Sequence, residues 1–526
     1  MSNAVTSLIV LFVVSTSAIV LAPNMVIVQS SSCGTVCTVP AVGPNIEVGG
    51  ESSPDRQRVE TTIAVDPHNP SVVVAGSQDL DLKAAGGHRW HGLYRSDDAG
   101  RTWNSSLLPG FPGDTSTAGR SSPLRQWNAT TDPGLAFDGD GNLYYSGGAL
   151  TISGSAVTTS SPTLFVAKYT NDGSTYAGVT IVAGSSDKQS IAVDTTGGQY
   201  SDSVYIVMDN SVGGTVVFTH SSDGGGTFAS PVPVGGRHGA LAVAPDGTVY
   251  IVTWDNGNLL HISKVHPGGT ILTTNIASIP IIPIPSPLPG GSFRTGNNPQ
   301  IASDSYGIYV TWAEYGSGTS EVEFTKSTDG GISWTRPTRV SDGSSGEHFF
   351  PAIASFNGVI GIVWYDSRLN TKSSLNSLDV YYAQSIDGGV SFSPNIRVTN
   401  ISFDPEQVLR GDAPSNNNPF IGDYIGISAG SSGIFPVWAD NRNACDNIDP
   451  TFGCVDQDAF TAVVLQSAVP SSPDPCLFCI LLPLPTLLWL IIIGAVSAGL
   501  GYIAGSRRSG RKGPISRRFR QNRIPR

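Results

Sequence analysis

Charged side chains are scarce: Asp, Glu, Lys and Arg make up 13% of the 526 residues. That scarcity excludes a chain built from long surface helices, whose solvent faces need charge. Glycine is plentiful instead, at 61 residues, the balance that many short strands and tight turns produce. Cysteine is also rare, and its six residues fall in close pairs: Cys33 with Cys37, Cys445 with Cys454, Cys476 with Cys479. Pairing suits an oxidising compartment, and Cys445–Cys454, which would close an Asn/Asp-rich loop, is the best disulfide candidate. The Cys476-x-x-Cys479 spacing has no βαβ context, so a bridge or lipidation at a membrane edge fits it at least as well as redox chemistry. The eight histidines show no metal-ligand spacing, and neither metal nor cofactor is expected. The apolar run from Val5 to Ala22 has no Lys or Arg ahead of it and no clean cleavage site. It reads as a signal peptide or uncleaved anchor over residues 1–29, with 30–43 as linker.

Charge is distributed unevenly. Nine cations and no acid lie in the last twenty residues, which leaves a net charge of −20 on the remainder. An acidic main domain disfavours nucleic acid as partner. Ahead of that basic tail, 476–505 is apolar and uncharged, long enough to cross a bilayer as a helix. With 506–526 basic, the tail is expected in the cytoplasm and the main domain outside, joined to the membrane by a Ser/Pro linker at 467–475.

An octet recurs through the main domain: Ser96 to Trp103 (SDDAGRTW), Ser221 to Phe228 (SSDGGGTF), Ser327 to Trp334 (STDGGISW) and Ser385 to Phe392 (SIDGGVSF). Looser copies lie at Thr170 to Tyr176 and from Ser263. The pattern S-x-D-x-G-x-[ST]-[FW] suits a turn between two strands. The carboxylates of Asp98, Asp223, Asp329 and Asp387 accept backbone N–H groups. Gly100, Gly225, Gly331 and Gly389 take a backbone angle that side chains resist. The closing aromatics, Trp103, Phe228, Trp334 and Phe392, bury themselves between sheets. Each octet follows a β-branched strand, as in Asp379 to Ser385 or Glu321 to Ser327. Upstream come a strand often ending in Trp (Val249 to Trp254, Ile360 to Trp364) and an inner strand of the type Ile63-Ala-Val-Asp66. Four strands per unit, repeated, indicate an all-β propeller of four-stranded antiparallel blades over 44–466. Seven inner strands can be counted, six blades being the alternative. The last unit lacks a fourth strand, and Pro44 to Val48 resembles Pro394 to Val398, so the chain's start is expected to complete the final blade. The Pro/Ile-rich stretch Ile279 to Gly291 should be extended rather than an ordinary strand and form a rim, lid or contact surface.

The octet resembles the Asp box, or BNR repeat, of the sialidase-like β-propellers, where it is a structural turn. In that family three arginines bind the substrate carboxylate, a Tyr assisted by a Glu is the nucleophile, and an Asp is acid/base. The resemblance implies Tyr424, Glu314 and Asp366 as catalytic candidates and Arg294, Arg368, Arg410 and Arg442 as ligand-binding ones. The family's Arg-Ile-Pro signature is absent, the region reading Asp55-Arg-Gln-Arg-Val-Glu60. The W-x-D-x-R pattern at Trp364 to Arg368 and Trp438 to Arg442 reads as a duplicated strand-end ion pair. Asp138 to Asn142 (DGDGN) lacks the distal Glu of a calcium loop and reads as a turn. Asn104, Asn128 and Asn400 begin glycosylation sequons. The chain is thus expected to be a membrane-tethered, exported recognition module for a glycan or protein. The alternatives are a sialidase-type exo-glycosidase cleaving terminal acidic sugars and a cell-envelope structural protein.

Overall fold

The computed structural model describes residues 40–465, apart from 51–55, 82–87, 154–155, 158–161, 211–213, 271, 317, 344, 408–418 and 445–455. They form an all-β, propeller-like arrangement of four-stranded antiparallel sheets. The fifth is representative, running from Gln300–Asp304 through Gly307–Glu314 and Glu321–Ser327 to Thr338–Arg339. Strands form where Val, Ile, Tyr and Phe alternate between two packed faces, and they stop at Gly, Asn or Asp. The first two sheets are joined by one parallel bridge, Arg89 to Ala129.

Among the described residues seven strands are innermost: Arg56–Val65, Ala129–Phe137, Asp187–Val193, Arg237–Val243, Gln300–Asp304, His348–Phe356 and Gly426–Gly430. Each touches the next, and the last touches the first. The cycle closes through the chain's start. Ile46–Glu47 pairs antiparallel with Asp458–Thr461, Ile46 opposite Thr461, as the unit count requires. Closure reaches further than the sequence indicates, because Ala41–Val42 also pairs with Val464–Leu465. Arg58 locks the seam from inside. Only 1% exposed, it sits with Nη1 2.5 Å from Asp458 Oδ1 and 3.4 Å from Glu47 Oε1, and Nη2 donates to the Gly50 carbonyl.

The four octets fold into one turn. In the third sheet Asp223 Oδ1 accepts from Ser221 Oγ (2.7 Å) and Thr227 N (2.8 Å), and Oδ2 from Thr227 Oγ1 (2.7 Å). The same bonds recur at Asp98, Asp329 and Asp387. Hydroxyl hydrogen bonds, from Thr102, Ser221 and Ser333 respectively, hold Asp98, Asp223 and Asp329 down to about 2. The glycines have φ of +81° (Gly100), +82° (Gly225), +83° (Gly331) and +77° (Gly389). They also lie against the preceding sheet: a Cβ on Gly389 would stand 2.7 Å from the Phe324 ring. The turn is therefore a spacer between sheets, and its half-buried aromatics pack on the adjoining cores.

Buried Trp312, Trp364 and Trp438 belong to the cores between sheets. The Pro/Ile-rich stretch departs from expectation at its start, because Ile279 and Pro280 pair with Leu260 and Leu259 as the end of strand Leu272–Pro280. Proline is tolerated there on an edge strand. Beyond it, Ile284, Leu288 and Phe293 pack with Phe349 and Leu375, so the segment is a rim seated on the sixth sheet. Among the described residues no helix is long and apolar enough to cross a membrane. The N-terminal run, the expected span at 476–505, the tail and the Cys445–Cys454 pair all lie outside the described residues.

Removing Arg58 takes a buried cation away from Asp458 and Asp79. Arg58→Met is expected to lower unfolding free energy by about 3–5 kcal/mol in urea titration, as breaking a buried pair does. Gly389→Ala should cost about 1–3 kcal/mol, from backbone strain and the Phe324 contact, in the same assay.

Candidate binding site at the channel mouth

Five innermost strands break register at one level: between Val59 and Thr62, Thr131 and Gly134, Asp187 and Ser190, Arg237 and Ala240, and Phe349 and Ala352. In each bulge one residue takes a left-handed backbone: Glu60 (φ +56°), Asp132 (+54°), Lys188 (+47°), His238 (+51°) and Phe350 (+49°). Side chains with a Cβ resist that geometry. Five repetitions around one end of a ring re-aim side chains together, which is what bulges do beside sites.

A cavity of about 200 Å³ lies inside the ring, lined by segments from all seven innermost positions, among them Thr62, Gly134, Lys188, His238, Asn298 and Tyr424. Asp423 anchors its charge. Arg294 Nε and Nη2 donate to Asp423 Oδ1 and Oδ2, both at 2.7 Å, and Lys188 Nζ donates to Oδ2. Arg294 also lies 4.7 Å from the Phe420 ring centroid. Burial alone would raise Asp423, but Lys188 and Arg294 overcome it and hold the carboxyl below its ordinary range. The other two acids go the opposite way. Burial, then the charge of Asp132, pushes Glu60 well up; burial, then the charge of Asp187, pushes Asp132 up to about 7. Burial and neighbouring Lys188 lower His238 to about 4, so its ring is neutral at pH 7. Burial, then Glu60, raises the Tyr424 phenol. The cluster thus sets two cations and one firm carboxylate beside Glu60 and Asp132, whose carboxyls burial drives upward, with Asp187 and Asp209 close by.

Polar atoms without partners converge on the same place. Gln189 Nε2, Asn298 Oδ1 and Tyr424 Oη, from residues that line the cavity, and Oε2 of Glu60, a neighbour of Tyr424, are buried and make no hydrogen bond. Each such group costs about 1–3 kcal/mol if left dry. Donors and acceptors are mixed, which matches a ligand rich in hydroxyls.

Of the residues nominated from sequence, Tyr424 lines the cavity, and Arg294 lies behind it, bonded to Asp423, the partner of the lining Lys188. Glu314 accepts from Trp312 Nε1 at 3.1 Å and does not line the cavity. Asp366 is fully buried, bonded to His348, Trp364 and Arg368. Arg368 stacks 4.0 Å over Tyr381, and Arg442 repeats the arrangement, with Asp440 Oδ2 at 2.6 Å and Phe460 at 4.3 Å. The duplicated W-x-D-x-R pattern is thus a duplicated ion pair. Arg410 lies outside the described residues. Asp138 accepts from Asp140 N, Asn142 N and Nδ2, and Tyr144 Oη, a closed turn. Asn104 and Asn400 are exposed, and Asn128 is half-buried, bonded both ways to Ile152. Sequence reading missed Glu60, Asp132 and Lys188. Their signal was present: each stands three residues ahead of the residue that opens the Ile63-Ala-Val type of sequence, Ile63, Leu135 and Ile191, as His238 does before Leu241.

Asp132 has a directional consequence. Its folded-state pKa, about 7, exceeds its ordinary 3.8, so between those values the folded state holds the extra proton. Its contribution is full below about pH 3.8 and lost as pH rises through about 7. Asp132→Asn should therefore raise Tm at pH 8, leave it nearly unchanged at pH 4, and flatten the Tm–pH curve between.

No protein-family model matches the chain, and no curated protein does. Solved structures similar to it include the Hadza microbial sialidase Hz136, at 14% identity and a TM-score of 0.41, over 60% of this chain and 64% of that one. The intramolecular trans-sialidase from Ruminococcus gnavus in complex with oseltamivir carboxylate matches at 11% identity and a TM-score of 0.41, over 64% and 94%. An α-L-arabinofuranosidase from Fusarium graminearum matches at 14% and 0.38, over 62% and 92%. Nothing about activity follows from likeness at this level.

Proposed function

We propose that this chain is a seven-bladed Asp-box propeller held outside a cell membrane by residues 476–505, and that its channel mouth recognises a glycan ending in an acidic sugar. The closed cycle of innermost strands supports seven blades rather than six. The observation that carries the binding reading is the convergence of unpartnered Gln189, Asn298, Tyr424 and Glu60 atoms beside Lys188 and Arg294. Sugar hydroxyls donate and accept at once and satisfy such a mixed set. Lys188 and Arg294 are the cations that would meet a sugar carboxylate. At about 200 Å³ the cavity is below the usual range for ligand pockets, so it takes a terminal unit rather than a passing chain.

One observation favours the exo-glycosidase reading: Asp132, at about 7, is tuned for proton transfer close to an unpartnered Tyr424 hydroxyl. Against it, a Tyr nucleophile needs a base, and burial drives the Glu60 carboxyl toward its protonated form. Calorimetry of residues 40–467 with sialic and uronic acids tests binding. We expect binding that weakens at least about tenfold in Lys188→Met, the loss of one charge-assisted contact. A fluorogenic sialoside in the same samples should stay intact. Turnover abolished by Tyr424→Phe would establish the enzyme instead, and no binding to any acidic sugar would leave the structural-protein reading.

A further inference from the structure

The aspartate that ends the inner strand recurs from sheet to sheet, and its fate differs in the first. In the second sheet Asp138 Oδ2 is taken by Tyr144 Oη and Asn142 Nδ2. In the fifth, Asp304 Oδ1 accepts from Tyr309 Oη and Oδ2 from Gly358 N of the next sheet. The first sheet has Val74 where the second has Tyr144. There Asp66 Oδ1 accepts from His68 N (2.8 Å) and Asn69 N (3.2 Å), but Oδ2 is fully buried with no partner.

Facing it is Asp172, from the turn of the second sheet that carries the shortened copy of the octet. In the full octets the aspartate binds its own turn. Asp172 instead accepts at Oδ2 from Asn69 Nδ2 of the first sheet (3.1 Å), and its Oδ1 stands 3.4 Å from His68 Nδ1. One oxygen of each carboxylate is thus held by amide donors while the other is turned inward. A Cβ on Gly141 would sit 2.6 Å from Asp172 Oδ1 and 3.2 Å from Asp66 Oδ2, so the glycine keeps space open beside both. The nearby cation, Arg95, is directed to the Asp172 carbonyl and to Asp97. A ligand atom from each of Asp66, His68 and Asp172 lies within 4.8 Å of the others.

We propose that Asp66, His68 and Asp172 bind a divalent first-row metal ion, zinc by their donor set, which clamps the first sheet to the second. Imidazole with two carboxylates suits zinc, whereas calcium and magnesium prefer oxygen alone. Ligand atoms sharing a zinc stand roughly 3–4 Å apart at its usual bond lengths, which fits the His68–Asp172 separation. Asn69 acts as the outer donor that orients Asp172. The ion compensates two facing carboxylates that no Lys or Arg side chain among the described residues reaches.

The test uses the full, detergent-solubilised chain without a polyhistidine tag. Titration with zinc chloride should show one ion per chain and a raised Tm, and cobalt bound in its place should give visible ligand-field absorption. His68, 59% exposed, can be removed with little risk to folding. His68→Ala should abolish the cobalt absorption and the Tm rise, and Asn69→Ala should weaken zinc by about 10–100-fold. Folding of each variant is checked by circular dichroism. No zinc binding at stoichiometric concentration, or binding indifferent to both His68→Ala and Asp172→Asn, would overturn the proposal. So would calcium binding that displaces zinc and ignores His68.

Discussion

A ring of sheets has one weak place, the seam where the last sheet meets the first. Here the last sheet is left without an outer strand, and the chain's own beginning supplies it. Ile46–Glu47 pairs with Asp458–Thr461, and Ala41–Val42 with Val464–Leu465. Without them an edge of unpaired N–H and C=O groups would face solvent, open to association. The charge set at the seam is equally specific. Arg58 comes from the first sheet, Asp458 from the last, and Glu47 from the closing strand, so the two ends of the ring meet at one buried guanidinium. Such a contact forms only once the ring is complete.

Closure has a consequence inside the ring. With every innermost strand in place, the bulges at Glu60, Asp132, Lys188, His238 and Phe350 all fall at one level. Their repetition is a product of sheet duplication, but their side chains differ: two acids, a lysine, a histidine and a phenylalanine. A repeated backbone irregularity thus becomes a ring of non-equivalent groups. Burial and neighbouring charge then drive their carboxyls apart, Asp423 downward between Lys188 and Arg294, Glu60 and Asp132 upward.

The opposite fate befell the W-x-D-x-R copies. Arg368 and Arg442 repeat one another down to the aromatic ring beneath each guanidinium. Identity between copies marks a part of the scaffold; divergence at an equivalent position marks a part released for other use. The octets follow the same division, since four keep their aspartate for their own turn and the shortened one at Asp172 extends it to the neighbouring sheet.

The sequence by itself determined the strand order, the octet turns and the strand that closes the ring, because these rest on local rules. β-Branched alternation makes strands, positive-φ glycines and Asp carboxylates make turns, and similarity between Pro44–Val48 and Pro394–Val398 marked the missing partner. Of the residues it nominated, Tyr424 lines the cavity and Arg294 bonds Asp423. What it did not reveal was decided by burial and by distance in space. Lys188, Asp132 and Glu60 look like ordinary loop charges until bulges turn them toward one axis. Asp66 and Asp172 lie in separate sheets, so no spacing along the chain announces that their oxygens face each other. Periodicity reads what neighbours in sequence do; the protonation of a buried acid depends on groups brought near it only when the sheets assemble.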